Sequence, residues 1–128
     1  MTVPFWCLLI AAILPILLSW VSGYYRNKQL GTIDNKNPRL QNAQLTGAGS
    51  RAVAAQQNAW EALAVFTAAV MVSHLLAADA DKAATASMIF IAARVIHGIT
   101  YVADKDALRS LSFLVGFGCC LWLFLMAS

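Results

Sequence analysis

The sequence predicts an all-α membrane protein in which a single domain forms a bundle of four transmembrane helices. Hydrophobic residues make up 60% of the 128 residues and charged residues only 12%, whereas a soluble domain is about one quarter charged. The mean hydropathy is +0.67. The apolar residues also collect into four runs of roughly the 20 residues that a helix needs to cross a bilayer, and polar segments separate these runs.

The four transmembrane helices are expected at residues 3–25, 51–78, 83–103 and 108–127, within one domain over residues 1–128. Pro15 lies inside the first run, where a membrane helix tolerates a kink. This run does not resemble a cleaved signal peptide, because positive charge follows it and no basic segment precedes it. Ser50 is the expected N-cap of the second helix, at the end of a polar loop over residues 26–50.

Basic residues are distributed unequally between the two ends of the predicted bundle. Lys82 is the basic residue of the turn between the second and third helices. The first and third connecting segments, with the helix ends beside them, contain Arg26, Lys28, Lys36, Arg39, Arg51, Lys105 and Arg109. By the positive-inside rule, residues 26–50 and 104–107 are expected in the cytoplasm and both termini on the outside.

The composition argues against several classes of function. The formal net charge of +3 is modest and the basic residues form no nucleic-acid patch, so no nucleic acid partner is expected. Cys7, Cys119 and Cys120 lie in apolar runs without the spacing of a metal site or a disulfide framework, so no metal is expected. Residues 3–25 contain no carboxylate, which argues against a small multidrug transporter.

A stripe of polar side chains follows one face of the second predicted helix. Residues at helical spacings share this face, namely Arg51, Ala54, Asn58, Glu61 and Val65. Gln57 lies at the edge of the stripe. Glu61 is about 15 Å from the start of the helix. An ionisable group at this depth is expected to face the interior of the bundle and to have a partner.

The third predicted helix offers that partner. Arg94, His97 and Tyr101 share one of its faces. Because the second and third helices are antiparallel and joined by a tight turn, Arg94 and Glu61 reach the same depth to within about one helical turn. We therefore expect a Glu61–Arg94 ion pair, with Asn58, His97 and Tyr101 nearer the cytoplasm. These groups fit either a binding site or a polar clamp between two helices.

Arg109 and Ser110 begin the fourth predicted helix, at the level where the two polar faces end. An arginine here is ordinarily an interfacial residue whose charged end reaches toward water. At this level it could also bind an anion. The sequence leaves both roles open.

These segments together resemble the MAPEG family, the membrane-associated proteins of eicosanoid and glutathione metabolism. The similarity rests on "RAVAAQQNAWEA" followed by "ARVIHGITYVADKDALRS". Asn58 and Glu61 match the family's second-helix motif, Arg94, His97 and Tyr101 its third-helix motif, and Arg109-Ser110 the start of its fourth helix. The loop "DNKNPR" is similar to that of bacterial members, so an integral protein of the bacterial inner membrane is expected.

The resemblance implies a glutathione-dependent transferase or peroxidase that acts on lipophilic electrophiles reaching it from the lipid bilayer. It implies a homotrimer with glutathione bound between neighbouring subunits and open to the cytoplasm. Arg109, with Ser110, would then stabilise the thiolate. The other implied glutathione-binding residues are Arg26, Arg51, Gln57, Asn58, Glu61, Arg94, His97 and Tyr101.

The sequence departs from the family pattern at two positions of the second helix. Catalytic members usually have an arginine four residues before the asparagine or directly before it, and here these positions are Ala54 and Gln57. Both uncharged residues favour an alternative, a non-catalytic lipid-binding or scaffold protein of the same fold. Asn58, Tyr101 and Arg109 favour the enzyme.

The predicted orientation can be tested with reporter fusions. Reporters fused after Asn42 and after Lys105 are expected to be active in the cytoplasm, and one fused after Asp81 on the outside, because the positive charge lies at the first two sites. The measurement is paired alkaline phosphatase and fluorescent protein activity. An outside signal from the Asn42 fusion would reverse the orientation and the proposed route of access.

Overall fold

The computed structural model describes all 128 residues and contains helices but no strands. The helices are α1 (Val3–Leu30), α2 (Pro38–Asn42), α3 (Gly47–Leu75), α4 (Ala80–Val102) and α5 (Asp106–Leu125). α1 packs mainly against α3, and α4 mainly against α5, while further contacts of α4 with α1 and α3 join the two pairs. The predicted all-α fold class is confirmed.

Three of the four long helices, α1, α4 and α5, are long and apolar enough to cross a membrane. α1 passes through Pro15 as one continuous helix. α3 is the longest helix, but it is not among the three, and its N-terminal half holds the polar stripe. That four helices cross the membrane therefore stays a prediction. The bounds of all four long helices lie within a few residues of the predicted ranges.

The predicted loop over residues 26–50 was wrong at both ends. α1 continues to Leu30, and α3 begins at Gly47 with Thr46, not Ser50, at the N-cap position. The Gln29 side chain explains where α3 begins, because it accepts a hydrogen bond from the Thr46 amide and donates one to the Thr46 carbonyl, both at 3.0 Å. These two bonds tie the first turn of α3 to the last turn of α1, so Ser50 is already helical.

Small residues allow the helices to approach closely. The buried face of α3 repeats Gly49, Ala52, Ala55 and Ala59 at helical spacings, and small residues are the usual means of close helix contact in membrane proteins. Further toward the C-terminal end of α3, the fully buried Phe66 stacks on Phe90 of α4 with ring centroids 3.9 Å apart. Close packing and this aromatic pair form the core that holds the polar stripe in place.

Gly49 marks a close approach of α1 and α3. A Cβ atom at this position would lie 2.9 Å from Tyr25 Cβ and 3.3 Å from Leu45 Cβ. We expect Gly49→Ala to lower the free energy of unfolding by about 1–3 kcal/mol, because the two helices must move apart. Denaturation in detergent, followed by circular dichroism, measures the change.

Gly118→Ala is the matched control, because a Cβ at this helical position meets no heavy atom within 4 Å. It is expected to leave the stability unchanged or to raise it slightly. An equal loss of stability in both variants would contradict a specific role of the α1–α3 contact, because a Cβ at Gly118 meets no neighbour.

Candidate functional site

Arg94 lies at the centre of the polar residues that α3 and α4 bring together. Its side chain is only 6% exposed, and its Nη2 donates a hydrogen bond of 2.7 Å to Asn58 Oδ1 on α3. The Nδ2 atom of Asn58 in turn donates a longer bond of 3.4 Å to Glu61 Oε2. The three side chains thus form a chain of contacts from a buried guanidinium to an exposed carboxylate.

The predicted Glu61–Arg94 ion pair is therefore wrong. The one ion pair within 4.0 Å in the chain joins Arg51 to Asp104. The estimate of depth was correct to one helical turn, because Arg94 contacts Asn58, which precedes Glu61 by one turn. The amide of Asn58 occupies the position next to Arg94 that was predicted for the Glu61 carboxylate. No acidic side chain lies within 4.0 Å of the Arg94 guanidinium.

A small cavity opens beside this chain of contacts. Its volume is about 180 Å³, and Asn58, Glu61 and Arg94 form its polar side. The remaining wall is largely apolar and aromatic, with Phe90, Phe113 and Phe117 among its residues. The cavity thus places a hydrogen-bonded guanidinium and a carboxylate next to aromatic rings, an arrangement that suits a ligand with both polar and apolar parts.

His97, Tyr101 and Arg109 lie together at the expected cytoplasmic end of α4 and α5. The Arg109 guanidinium carbon lies 4.7 Å from the centroid of the Tyr101 ring, within the range of a cation–π contact. His97 is buried, packs edge-on against Tyr101 with centroids 5.5 Å apart, and its Nδ1 has no hydrogen-bond partner in the chain. The ring of Tyr101 therefore orients Arg109, a contact that helical spacing alone does not predict.

Arg51 and Ser110 are not part of this cluster. Arg51 Nε donates a hydrogen bond of 3.1 Å to the carbonyl of Val102, and its Nη1 lies 3.9 Å from Asp104 Oδ2. These contacts join the start of α3 to the end of α4. Ser110 is exposed and its side chain makes no hydrogen bond within the chain. Neither residue lines the small cavity beside Arg94.

Arg26 and Gln57 lie at a second, larger cavity. This cavity has a volume of about 740 Å³, lies between α1, α2 and α3, and is also lined by Ala54. Arg26 is hydrogen-bonded to Gln41 Oε1 of α2 at 3.4 Å, and its Nε is buried without a partner. The candidate residues of α3 therefore divide between two cavities, with Ala54 and Gln57 in one and Asn58 and Glu61 in the other.

Two residues of α2 were missed by the sequence analysis. Arg39 lines the larger cavity, and Gln41 is buried and holds α2 against the end of α1. A helix of five residues is too short to show a periodic pattern in the sequence. The segment "DNKNPR" was the only sequence signal here, and it indicated a family resemblance without locating the side chains at a cavity. No group of three or more His, Cys, Asp and Glu side chains lies close enough together to hold a metal ion.

The bond between Arg94 and Asn58 predicts which substitution at this site destabilises the protein. Asn58→Ala is expected to lower the free energy of unfolding by about 1.5–3 kcal/mol, because a buried charge loses its hydrogen-bond acceptor. Glu61→Gln is the control and is expected to cost less, since Glu61 is exposed and does not contact Arg94. Double-mutant cycles measure the coupling energies of Arg94 with both residues. Coupling of Arg94 with Glu61 but not with Asn58 would contradict this geometry.

Comparison with known proteins agrees with the motifs that these helices carry. The model of the MAPEG family matches residues 3–128, which is nearly the whole chain. No curated protein and no solved structure matches at a significant level. Together with the three membrane-spanning candidates, the family match shows that the chain is an integral membrane protein and a member of the MAPEG family.

Proposed function

We propose that the protein is a glutathione-dependent transferase or peroxidase that acts on lipophilic electrophiles. The observation that carries the proposal is the position of Arg109 over the ring of Tyr101. These two residues lie on α5 and α4, and the same helices also line the partly aromatic cavity that contains Arg94. This arrangement offers one cation near the helix ends and a second one deeper in the bundle. Membership of a family whose members generally use glutathione supports the choice of thiol.

Arg109 would act by stabilising the thiolate of glutathione. A free thiol with a pKa of about 8.5 is mostly protonated at neutral pH, and an adjacent guanidinium favours the ionised form. The contact with Tyr101 fixes the direction of the guanidinium, so little reorganisation is needed when the thiolate forms. The Tyr101 hydroxyl makes no hydrogen bond within the chain and is free to donate one to the ligand.

The thiolate would then react with an electrophile that enters from the lipid. With an aryl halide, the sulfur forms a bond to carbon and halide leaves. With a lipid hydroperoxide, the sulfur attacks the outer oxygen, the O–O bond breaks, and the alcohol leaves with a proton. A second glutathione attacks the resulting sulfenic acid and gives glutathione disulfide and water. The exposed Phe113 and Phe117, stacked at 6.4 Å on α5, offer an apolar approach to the cavity.

The other polar groups would position the rest of the tripeptide. The Glu61 carboxylate is exposed and accepts only one long hydrogen bond, from Asn58, so it suits the ammonium group of the γ-glutamyl end. Asn58 and Arg94 would hold the adjacent carboxylate, because Arg94 lacks an acidic partner. His97, buried beside Tyr101, would complete the wall on α4.

We propose further that the functional unit is a homotrimer. On one protomer, Arg26 and Gln57 lie at a different cavity from Asn58, Glu61 and Arg94. One glutathione molecule that contacts both groups therefore suits a site between neighbouring subunits, where one copy supplies the first group and its partner the second. A closed ring of identical subunits would repeat this site at every interface.

A non-catalytic lipid-binding or scaffold protein is the second candidate function. One observation favours it. Ala54 and Gln57 line the larger cavity without providing charge, so this helix offers fewer anion-binding groups than in catalytic members. The same apolar surface on α5 would then bind a lipid without turnover.

Arg109→Ala tests the enzyme directly. We expect it to lower conjugation of a hydrophobic aryl halide, or reduction of a lipid hydroperoxide, by about a hundredfold or more, because the thiolate loses its cation. Lys105→Ala is the matched control, since this exposed basic residue lies one turn earlier and contacts neither cavity. It is expected to retain activity.

Native mass spectrometry of the same preparations is expected to show trimers for both variants. A wild-type protein that binds no glutathione and turns over neither substrate would contradict the enzyme and favour the scaffold. A protein that is only monomeric in mild detergent, yet active, would contradict the shared site and leave the reaction in place.

A further inference from the structure

The larger cavity is lined by two positively charged residues that do not belong to the polar stripe of α3. None of its 14 lining residues is acidic, whereas two of them, Arg26 and Arg39, are arginines. Arg26 comes from α1 and Arg39 from α2, so the two arginines that line this one cavity belong to separate elements. Two like charges in one cavity repel each other, and an anion bound between them would offset that repulsion.

Neither arginine is neutralised within the chain. Arg39 makes no ion pair and no side-chain hydrogen bond. Arg26 has a single neutral acceptor, Gln41 Oε1, at the long distance of 3.4 Å. Both guanidinium groups therefore keep the capacity to bind a carboxylate, which they can do through two parallel N–H bonds.

The structure fixes the backbone that carries Arg39. Gln41, two residues further along α2, donates a bond of 2.7 Å to the Thr32 carbonyl and accepts one of 3.0 Å from the Asp34 amide. Asp34 Oδ1 accepts bonds from the amides of Lys36 and Asn37, which form the turn leading into α2. Arg39 thus extends from an anchored helix and not from a free loop.

The cavity also contains the two positions at which α3 lacks a charge, Ala54 and Gln57. We propose that Arg39 is an anion-binding residue of the glutathione site, and that it supplies from α2 the positive charge absent from α3. The group it binds, together with Arg26, is the glycine carboxylate of the tripeptide. This inference rests on the proposed function and adds a binding residue to it.

The geometry explains why the charge can come from a different element. Arg39 lies 15 residues before Ala54 in the sequence, yet both line the same cavity because the chain between them folds back over the end of α1. An arginine at either position of α3 would add a third cation to this cavity. Ala54 and Gln57 are thus compatible with anion binding.

Calorimetric titration of wild-type trimer with glutathione and with its glycine monoethyl ester tests the inference. Arg39→Ala is expected to weaken glutathione binding about tenfold, the loss of one charge-assisted hydrogen bond at an exposed site. It is expected to leave the already weaker binding of the ester unchanged. Lys36→Ala is the matched control, a basic residue of the same segment that does not line the cavity, and it is expected to bind both ligands as the wild type does.

A rescue variant adds a second readout. Ala54→Arg in the Arg39→Ala background is expected to restore glutathione binding to within about threefold of the wild type, because it returns a cation to the same cavity. Equal affinities of the wild type and Arg39→Ala for glutathione would overturn the role of Arg39 and leave the proposed function intact. An equal loss for glutathione and its ester would overturn the assignment to the glycine carboxylate. A wild type without any glutathione binding would overturn both proposals.

Discussion

A buried guanidinium whose hydrogen-bond partner is a neutral amide is the constraint on which the candidate site depends. An arginine within a membrane helix costs about 2.5–3.5 kcal/mol on insertion scales, and Arg94 is 6% exposed. A carboxylate partner would neutralise it and lower its attraction for a ligand. The amide of Asn58 satisfies one donor but leaves the charge in place. The site therefore combines a tolerable cost of burial with a cation that an anionic ligand can still use.

The packing of the helices keeps this arrangement in register. Glycine and alanine on α3 let α1 approach closely, and the stacked Phe66 and Phe90 fix α3 against α4 near the level of Arg94. The side chains that we propose as ligand-binding groups thus extend from rigid helices, which hold a site more accurately than loops do. The same small residues leave little freedom to shift one helix, so the position of Asn58 opposite Arg94 depends on the packing of the whole of α3.

The parts of the fold that depend on periodic burial could be predicted from the sequence, whereas those that depend on single side chains could not. Helical spacing predicted Arg94 and Glu61 at the same depth to within about one helical turn, and the observed partner of Arg94, Asn58, lies one turn from Glu61. It could not decide whether Asn58 or Glu61 is the partner, because both share the face. The start of α3 depends on Gln29, whose bonds to Thr46 connect residues 17 positions apart. The location of Arg39 required the fold of a short, non-periodic segment.

The two arginines of the larger cavity show why a motif and a site need to be considered separately. A motif records which residue type occupies a position on one helix, whereas a ligand responds to the charge and the hydrogen-bond donors within reach. Ala54 and Gln57 remove charge from α3, but Arg26 and Arg39 supply two cations and no acidic residue opposes them. Since electrostatic attraction depends on distance and environment, and not on the element that provides the charge, the departure from the family pattern does not by itself remove an anion site. The cavity as a whole, including α2, determines what it can bind.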